Sequence, residues 1–89
     1  MTRLQKTEPW CAVIAPTEDI ARQYMDAFGL SEEIWKPLML SQSTMGFRFD
    51  RIVIIRPHWR TTPAEINEFE RQVSDWFLRV NRGGVIKII

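Results

Sequence analysis

The amino-acid sequence predicts an α/β fold: a small four-stranded, mostly parallel, doubly wound sheet in strand order 2-1-3-4, with one helix on each face. Three observations lead to this fold class. Two short apolar runs, at residues 10–15 and 52–55, do not alternate with polar residues, which favours strands covered on both faces. Two other segments begin with helix-capping residues. The resulting element order is β-α-β-β-α-β, and right-handed crossovers then place the two helices on opposite faces.

The run at residues 52–55 is the centre of the predicted sheet. It consists of three isoleucines and one valine, all β-branched, and such side chains fit a pleated strand. We expect all four of these residues to be buried, together with Val13 and Ile14 of the first strand, because a sheet between two helix layers is dry on both faces.

The first helix is predicted to follow the first strand directly. Pro16 ends the strand, and Thr17 is a good N-cap. Glu18 and Asp19 place carboxylates in the first turn, where they complement the helix dipole. Gly29 is predicted to end the helix as a left-handed cap residue.

The second helix has the clearest boundary signals in the chain. Thr62 and Glu65 form a capping box, with Pro63 at the first helical position. Residues 81–84, which include two glycines, are predicted to stop this helix. One wide apolar stripe runs along it: Ile66, Phe69, Val73, Trp76, Phe77 and Val80.

Two further strands complete the predicted sheet. One lies at residues 37–41, where a proline suits a strand start or an edge, and one at residues 85–89, which Lys87 marks as an edge strand. A ferredoxin-like α+β fold shares this element order and is the alternative. Its sheet has one open face, so its strands should alternate, and the two apolar runs therefore favour the doubly wound arrangement.

Length and composition limit the class of protein. The 89 residues are enough for one domain, residues 1–89, and the formal net charge of +1 argues against nucleic-acid binding by bulk charge. Cys11 is the single cysteine, which excludes an intramolecular disulfide and a thiolate metal cluster, and we expect neither a metal nor a cofactor. The N-terminus is polar and no apolar run reaches the ~18 residues of a membrane span, so we expect a cytoplasmic protein.

The candidate site lies at the carboxyl ends of the first and third strands, where a doubly wound sheet reverses its winding and ligands bind. The loop after the third strand supplies two arginines beside the free N–H groups of a helix N-terminus, which attract anions. The only histidine lies in the same loop, and an enzyme with this imidazole as base is the least favoured interpretation. The candidate ligand- or partner-binding residues are Thr17, Arg56, His58, Trp59, Arg60, Thr61 and Thr62.

The first strand–helix unit carries a resemblance to a known family. Residues 15–23 follow the pattern A-P-T-x-x-I-A-x-Q, which resembles the A-P-T-R-E-L-A-x-Q stretch of DEAD-box-type helicases. In that family the stretch touches the nucleic-acid backbone. Here Glu18 replaces the family's arginine, and the sequence has neither a G-K-T phosphate loop nor an acidic box. The whole chain also resembles small Rossmann-like proteins of bacteriophages. Together the resemblances imply a reduced nucleoside-triphosphatase-like core without its catalytic parts.

The sequence therefore predicts a non-enzymatic interaction module whose partner is another protein or a second copy of the chain. Four tryptophans exceed what so small a core needs, and exposed aromatic residues anchor interfaces. Trp35 and Trp59 are the predicted anchors. The alternative is weak binding of a phosphate-bearing ligand or single-stranded nucleic acid in the crevice between the loops after strands 1 and 3, with Arg56 and Arg60 as its cations.

Overall fold

The computed structural model describes residues 10–57 and 62–89, and within them the sheet has the predicted strand order 2-1-3-4. All three neighbouring strand pairs are parallel, which confirms the doubly wound α/β arrangement. The ferredoxin-like alternative is wrong, because its sheet would be antiparallel. In chain order the elements are β1 (Cys11–Ala15), α1 (Glu18–Phe28), β2 (Trp35–Met39), β3 (Phe49–Ile54), α2 (Pro63–Phe77) and β4 (Val80–Ile88).

The core consists of two apolar layers, one on each face of the sheet. Alternate residues of β1 and β3 point to opposite faces, so each strand contributes to both layers. The layer under α2 contains Ala12, Ile14, Leu38, Leu40, Phe49, Ile52, Ile54, Val73 and Trp76. The layer under α1 contains Val13, Ala15, Ala21, Met25 and Ile55.

Helix α1 begins and ends as the sequence predicts. The Thr17 hydroxyl accepts a hydrogen bond from the backbone N–H of Ile20 at 3.2 Å. Gly29 is left-handed with φ of 65°, and the following N–H, of Leu30, donates to the carbonyl of Met25 at 2.8 Å. The two caps therefore satisfy backbone groups at both ends of the helix.

Helix α2 begins at the predicted capping box but ends earlier than predicted. Thr62 Oγ1 accepts from the Glu65 N–H at 3.2 Å, while Glu65 Oε1 accepts from the Thr62 N–H at 2.8 Å. The prediction that residues 81–84 stop the helix is wrong. The helix ends at Phe77, and the chain has already joined the sheet at Val80, which pairs with Phe49.

Residues 81–84 form an irregular segment inside β4. The register passes from Phe49↔Val80 to Arg51↔Val85, so β4 carries three more residues than β3 across this interval. Gly83 has φ of 80°, a conformation that favours glycine. A Cβ atom at Gly84 would lie 2.6 Å from the backbone oxygen of Asp50, which explains the second glycine.

Four other sequence expectations need correction. The second strand begins at Trp35 rather than at residue 37, and β3 begins at Phe49 rather than at residue 52. Trp35 is half-buried and packs against the layer under α1, so it is not the exposed anchor that was expected. Val53 is also only half-buried, whereas Val13 and Ile54 are fully buried.

The two edges of the sheet differ in their free hydrogen-bonding groups. At the β2 edge, the outward N–H of Trp35 donates to Ser31 O at 2.8 Å, that of Met39 donates to Gln42 Oε1 at 2.8 Å, and Pro37 between them has no N–H. At the β4 edge, the Ile89 N–H and carbonyl bond to β3, so those of Ile88 point outward. Among the described residues, β4 is therefore the edge that is open to another strand.

Candidate functional site

The structure places the predicted site residues at the carboxyl ends of the strands. Thr17 follows β1, Arg56 follows β3, and Thr62 is the N-cap of α2. Four of the predicted site residues lie outside the described part of the chain, and the structure says nothing about their role: His58, Trp59, Arg60 and Thr61.

One depression, which we call the crevice, joins the loops that follow β1 and β3. It has a volume of about 300 Å³. Thr17 lines it on one side, and Pro57 and Glu65 line it on the other. The structure thus brings Thr17 together with the loop after β3, as predicted for a switch point. Arg56 is not among its lining residues and borders a different depression.

Several polar groups in and beside the crevice are already hydrogen-bonded or negatively charged. The hydroxyls of Thr17 and Thr62 accept hydrogen bonds from their own helices, and the Glu65 carboxylate occupies the α2 N-terminus. Hydrogen bonds from Arg71, with a smaller contribution from Gln72, lower the pKa of Glu68, which also lines the crevice, so this carboxylate stays anionic. Arg71 offsets the charge of Glu68 by an ion pair, so the Glu65 carboxylate at the α2 N-terminus is the group that opposes a phosphate here.

A larger depression, which we call the α2–β4 groove, lies between helix α2 and the end of β4. It has a volume of about 500 Å³. Its apolar walls remain partly open to solvent: Ile66 is 44% exposed and Phe77 is 50% exposed. Arg56, Glu65 and Glu70 border the apolar part of the groove. The apolar lining residues are Pro57, Ile66, Phe69, Val73, Phe77 and Ile88.

The sequence predicted the apolar stripe of α2 but not the groove that part of this stripe lines. The one sequence signal for the groove is the width of the apolar stripe along α2. In the structure, Val73 and Trp76 fill the layer under α2, and the Trp76 Nε1–H donates to the Leu40 carbonyl at 3.2 Å. The outer part of the stripe faces the groove instead.

No known protein family, curated protein or solved structure matches this chain. The site is therefore argued from geometry alone, and the resemblances to DEAD-box-type helicases and to bacteriophage proteins stay predictions. Within residues 10–57 and 62–89, no group of three or more histidine, cysteine, aspartate or glutamate side chains is placed to hold a metal ion. No helix in the same ranges is long and apolar enough to cross a membrane.

Proposed function

We propose that the chain is a small non-enzymatic binding module whose partner is another protein, bound in the α2–β4 groove. The observation that carries this proposal is the position of the groove. A concave apolar surface lies directly beside the open β4 edge, so one bound segment can bury side chains and also use free backbone groups of the strand. The proposal includes a cytoplasmic location, as expected from the sequence.

The chemistry of the groove suits a polypeptide better than a small polar ligand. Ile66, Phe77 and the half-buried Phe69 offer aliphatic and aromatic surface at the centre, with charges at the border. Apolar centres with polar rims are typical of protein interfaces. Covering a side chain of this size stabilises a complex by about 1.5–3 kcal/mol before the entropy of association is subtracted.

Selection from a displayed library of random peptides tests the proposal. The wild-type chain should enrich peptides with aromatic or aliphatic residues at alternating positions, because alternate side chains of an added strand would enter the groove. Phe77→Asp and Ile66→Asp should each weaken binding of the selected peptide by about tenfold or more. Phe28→Asp is the matched control, since Phe28 is 65% exposed on α1 and is not part of the groove.

The control outcomes make this test decisive. Thermal melts must show that the Phe77 and Ile66 variants still fold, which their partial exposure leads us to expect. Enrichment of no peptide, or equal binding by all three variants, would contradict the groove as the binding surface. Light scattering distinguishes a foreign partner from a second copy. A concentration-dependent dimer abolished by Phe77→Asp would identify the partner as the chain itself.

The alternative of a phosphate-bearing or single-stranded nucleic-acid ligand has less support. Glu65 and Glu68 line the crevice, and Arg56 lies outside it. Titration of single-stranded DNA at low and high salt decides between the two functions. Binding that weakens with salt and is lost in Arg56→Ala would favour the nucleic-acid function, whereas no binding at low salt would eliminate it.

A further inference from the structure

One half of the sheet lacks a helix on the α1 face. Parallel sheets normally have both faces covered, and α2 covers the opposite face. Helix α1, however, packs over β1 and β2. The α1 face of β3 and β4 therefore has no covering element among the described residues. The half-buried Val53 shows this gap, because its register partner Val13 on β1 is fully buried.

This open half-face and the adjoining flank of α1 form a surface that we call the trough. Its floor is apolar: Val85 is 56% exposed and Ile89 is 42% exposed, beside Val53. Its wall is the side of α1 that carries Ile20 and Tyr24. A concavity of about 350 Å³ marks the line where wall and floor meet.

Two cations stand on the floor of the trough. Arg51 pairs in register with Val85, and Lys87 pairs with Val53, so both cations lie on the same face of adjacent strands. Among the described residues, neither of them forms an ion pair. The neighbouring carboxylate of Asp50 instead accepts a hydrogen bond from Asn81 at 2.8 Å.

The α1 residues that line the concavity carry no negative charge, and two acids of α1, Asp19 and Asp26, lie one turn from Gln23 outside this lining. The residues of α1 that line the concavity are Ile20, Gln23 and Tyr24, none of which is acidic. Glu18 lies on another side of α1, where it pairs with Arg22 at 2.9 Å near β2. The trough is therefore an apolar surface with a net positive charge from its own described side chains.

We propose that the trough binds an acidic amphipathic α-helix of a partner protein. Two neighbouring strands are about 4.8 Å apart, and a helix with its side chains is about 10 Å across, so one helix covers β3 and β4 beside α1. Its apolar stripe contacts Val53, Val85 and Ile89. Its carboxylates reach Arg51 and Lys87. The bound helix completes the helix layer that the sheet lacks on this side.

Charge identifies the occupant. The chain's own residues 1–9 carry Arg3 and Lys6 against a single acid, Glu8, so their charge does not complement the trough. A second copy related by a twofold axis would bring the same cations of both troughs towards one another. An acidic helix avoids this repulsion, because its carboxylates pair with the two cations, and its apolar stripe covers the floor of the trough.

This proposal does not depend on the α2–β4 groove, which opens on the opposite face of the sheet. Backbone amide NMR spectra of the wild-type chain, titrated with a synthetic helical peptide, test it directly. The probe is about 15 residues long, roughly four turns, with leucines on one face and glutamates beside them. We expect shifts at Val53, Val85, Lys87 and Ile89. A peptide in which lysines replace the glutamates is the control, and it should not bind.

Charge reversal on the protein provides the second arm. Arg51→Glu and Lys87→Glu should each weaken binding by about tenfold, and by more at low salt. Arg82→Glu is the matched control, because Arg82 is an exposed cation in the irregular segment of β4 and has no register partner on β3. Binding by Arg82→Glu should equal that of the wild type.

Four results would overturn the proposal. The first is equal binding of the acidic and basic peptides. The second is a set of peptide-induced shifts at Ile66 and Phe77 in place of those in the trough. The third is a dimer that Val85→Asp abolishes, which would make a second copy the occupant. The fourth is a change at Val53 and Val85 when residues 1–9 are deleted without peptide, which would show that the chain covers its own trough.

Discussion

Three aspartate substitutions probe which parts of the sheet are covered. Ile54 is 0% exposed in the layer under α2, between Ile14 and Ile88 in register. Val13 is 0% exposed under α1. Val53 lies beside Val13 on the same face but is only half-buried. We expect Ile54→Asp and Val13→Asp to unfold the chain, and Val53→Asp to be tolerated.

The magnitudes follow from burial. Replacing Ile54 removes about 1.5–3 kcal/mol of apolar burial, and a carboxylate without a partner in a dry layer costs several kcal/mol more. A chain of this length has a total stability of about 4–13 kcal/mol, and small domains lie near the lower end. The carboxylate of Val53→Asp, by contrast, reaches water and lies beside Lys87, so we expect a loss of only about 1 kcal/mol.

Thermal and urea melts followed by circular dichroism measure all three variants. The expected result is a cooperative transition for Val53→Asp and no native signal for the other two. Unfolding by Val53→Asp as severe as that by Ile54→Asp would refute the reasoning, since it would mean that the trough is covered in solution. A folded Val13→Asp variant would refute the assignment of α1 to the sheet above β1.

Further predictions concern single positions. Gly84→Ala should lower the free energy of unfolding by about 1–3 kcal/mol, because the new Cβ would lie 2.6 Å from Asp50 O; Gly46→Ala, with φ of 86° but open space, should cost only about 1 kcal/mol in the same melts. Thr62→Ala removes the capping box of α2 and should cost about 1 kcal/mol, whereas Thr62→Ser should be nearly neutral. Burial raises the pKa of the Cys11 thiol, so the unfolded chain loses this proton at lower pH than the folded chain. This contribution to the free energy of unfolding is complete below the pKa that the Cys11 thiol has in the unfolded chain, and it is lost as pH rises through the pKa of the thiol in the folded chain. In urea melts at alkaline pH, the free energy of unfolding should therefore fall more steeply with pH for the wild type than for Cys11→Ala.

Local chemistry made much of the fold predictable. Thr17, Gly29 and the Thr62–Glu65 box fix helix ends through hydrogen bonds within a few residues, and the sequence shows all of those partners. The unbroken apolar run at residues 52–55 indicated a strand between two layers, and the parallel sheet confirms it. The choice of a doubly wound sheet gave the strand order, and crossover handedness then placed the two helices on opposite faces.

Features that depend on where a helix rests on the sheet could not be predicted. Helical periodicity places Phe77 and Ile66 on the apolar stripe of α2. Only the position of α2 on the sheet decides that they border a groove and not the core. The sequence predicts the same burial for Val53 as for Ile54. Helix α1 lies over β1 and β2, however, and leaves the Val53 side chain half-buried. The early end of α2 was missed because the residues after it join the sheet through a long-range hydrogen bond, from the Phe49 N–H to the Arg79 carbonyl at 2.8 Å, which local sequence does not show.

The lack of free outward N–H groups at the β2 edge has a consequence for how copies of this chain can associate. Ser31, Pro37 and Gln42 leave no outward N–H free between Trp35 and Met39, while the β4 edge keeps free groups in the described part of the chain. If two copies pair edge to edge, each uses its single open edge, so association stops at a dimer. A sheet with two open edges can recruit copies without limit and grow into a fibre. A sheet with one open edge limits such growth to a dimer, even at the high local concentrations that favour aggregation.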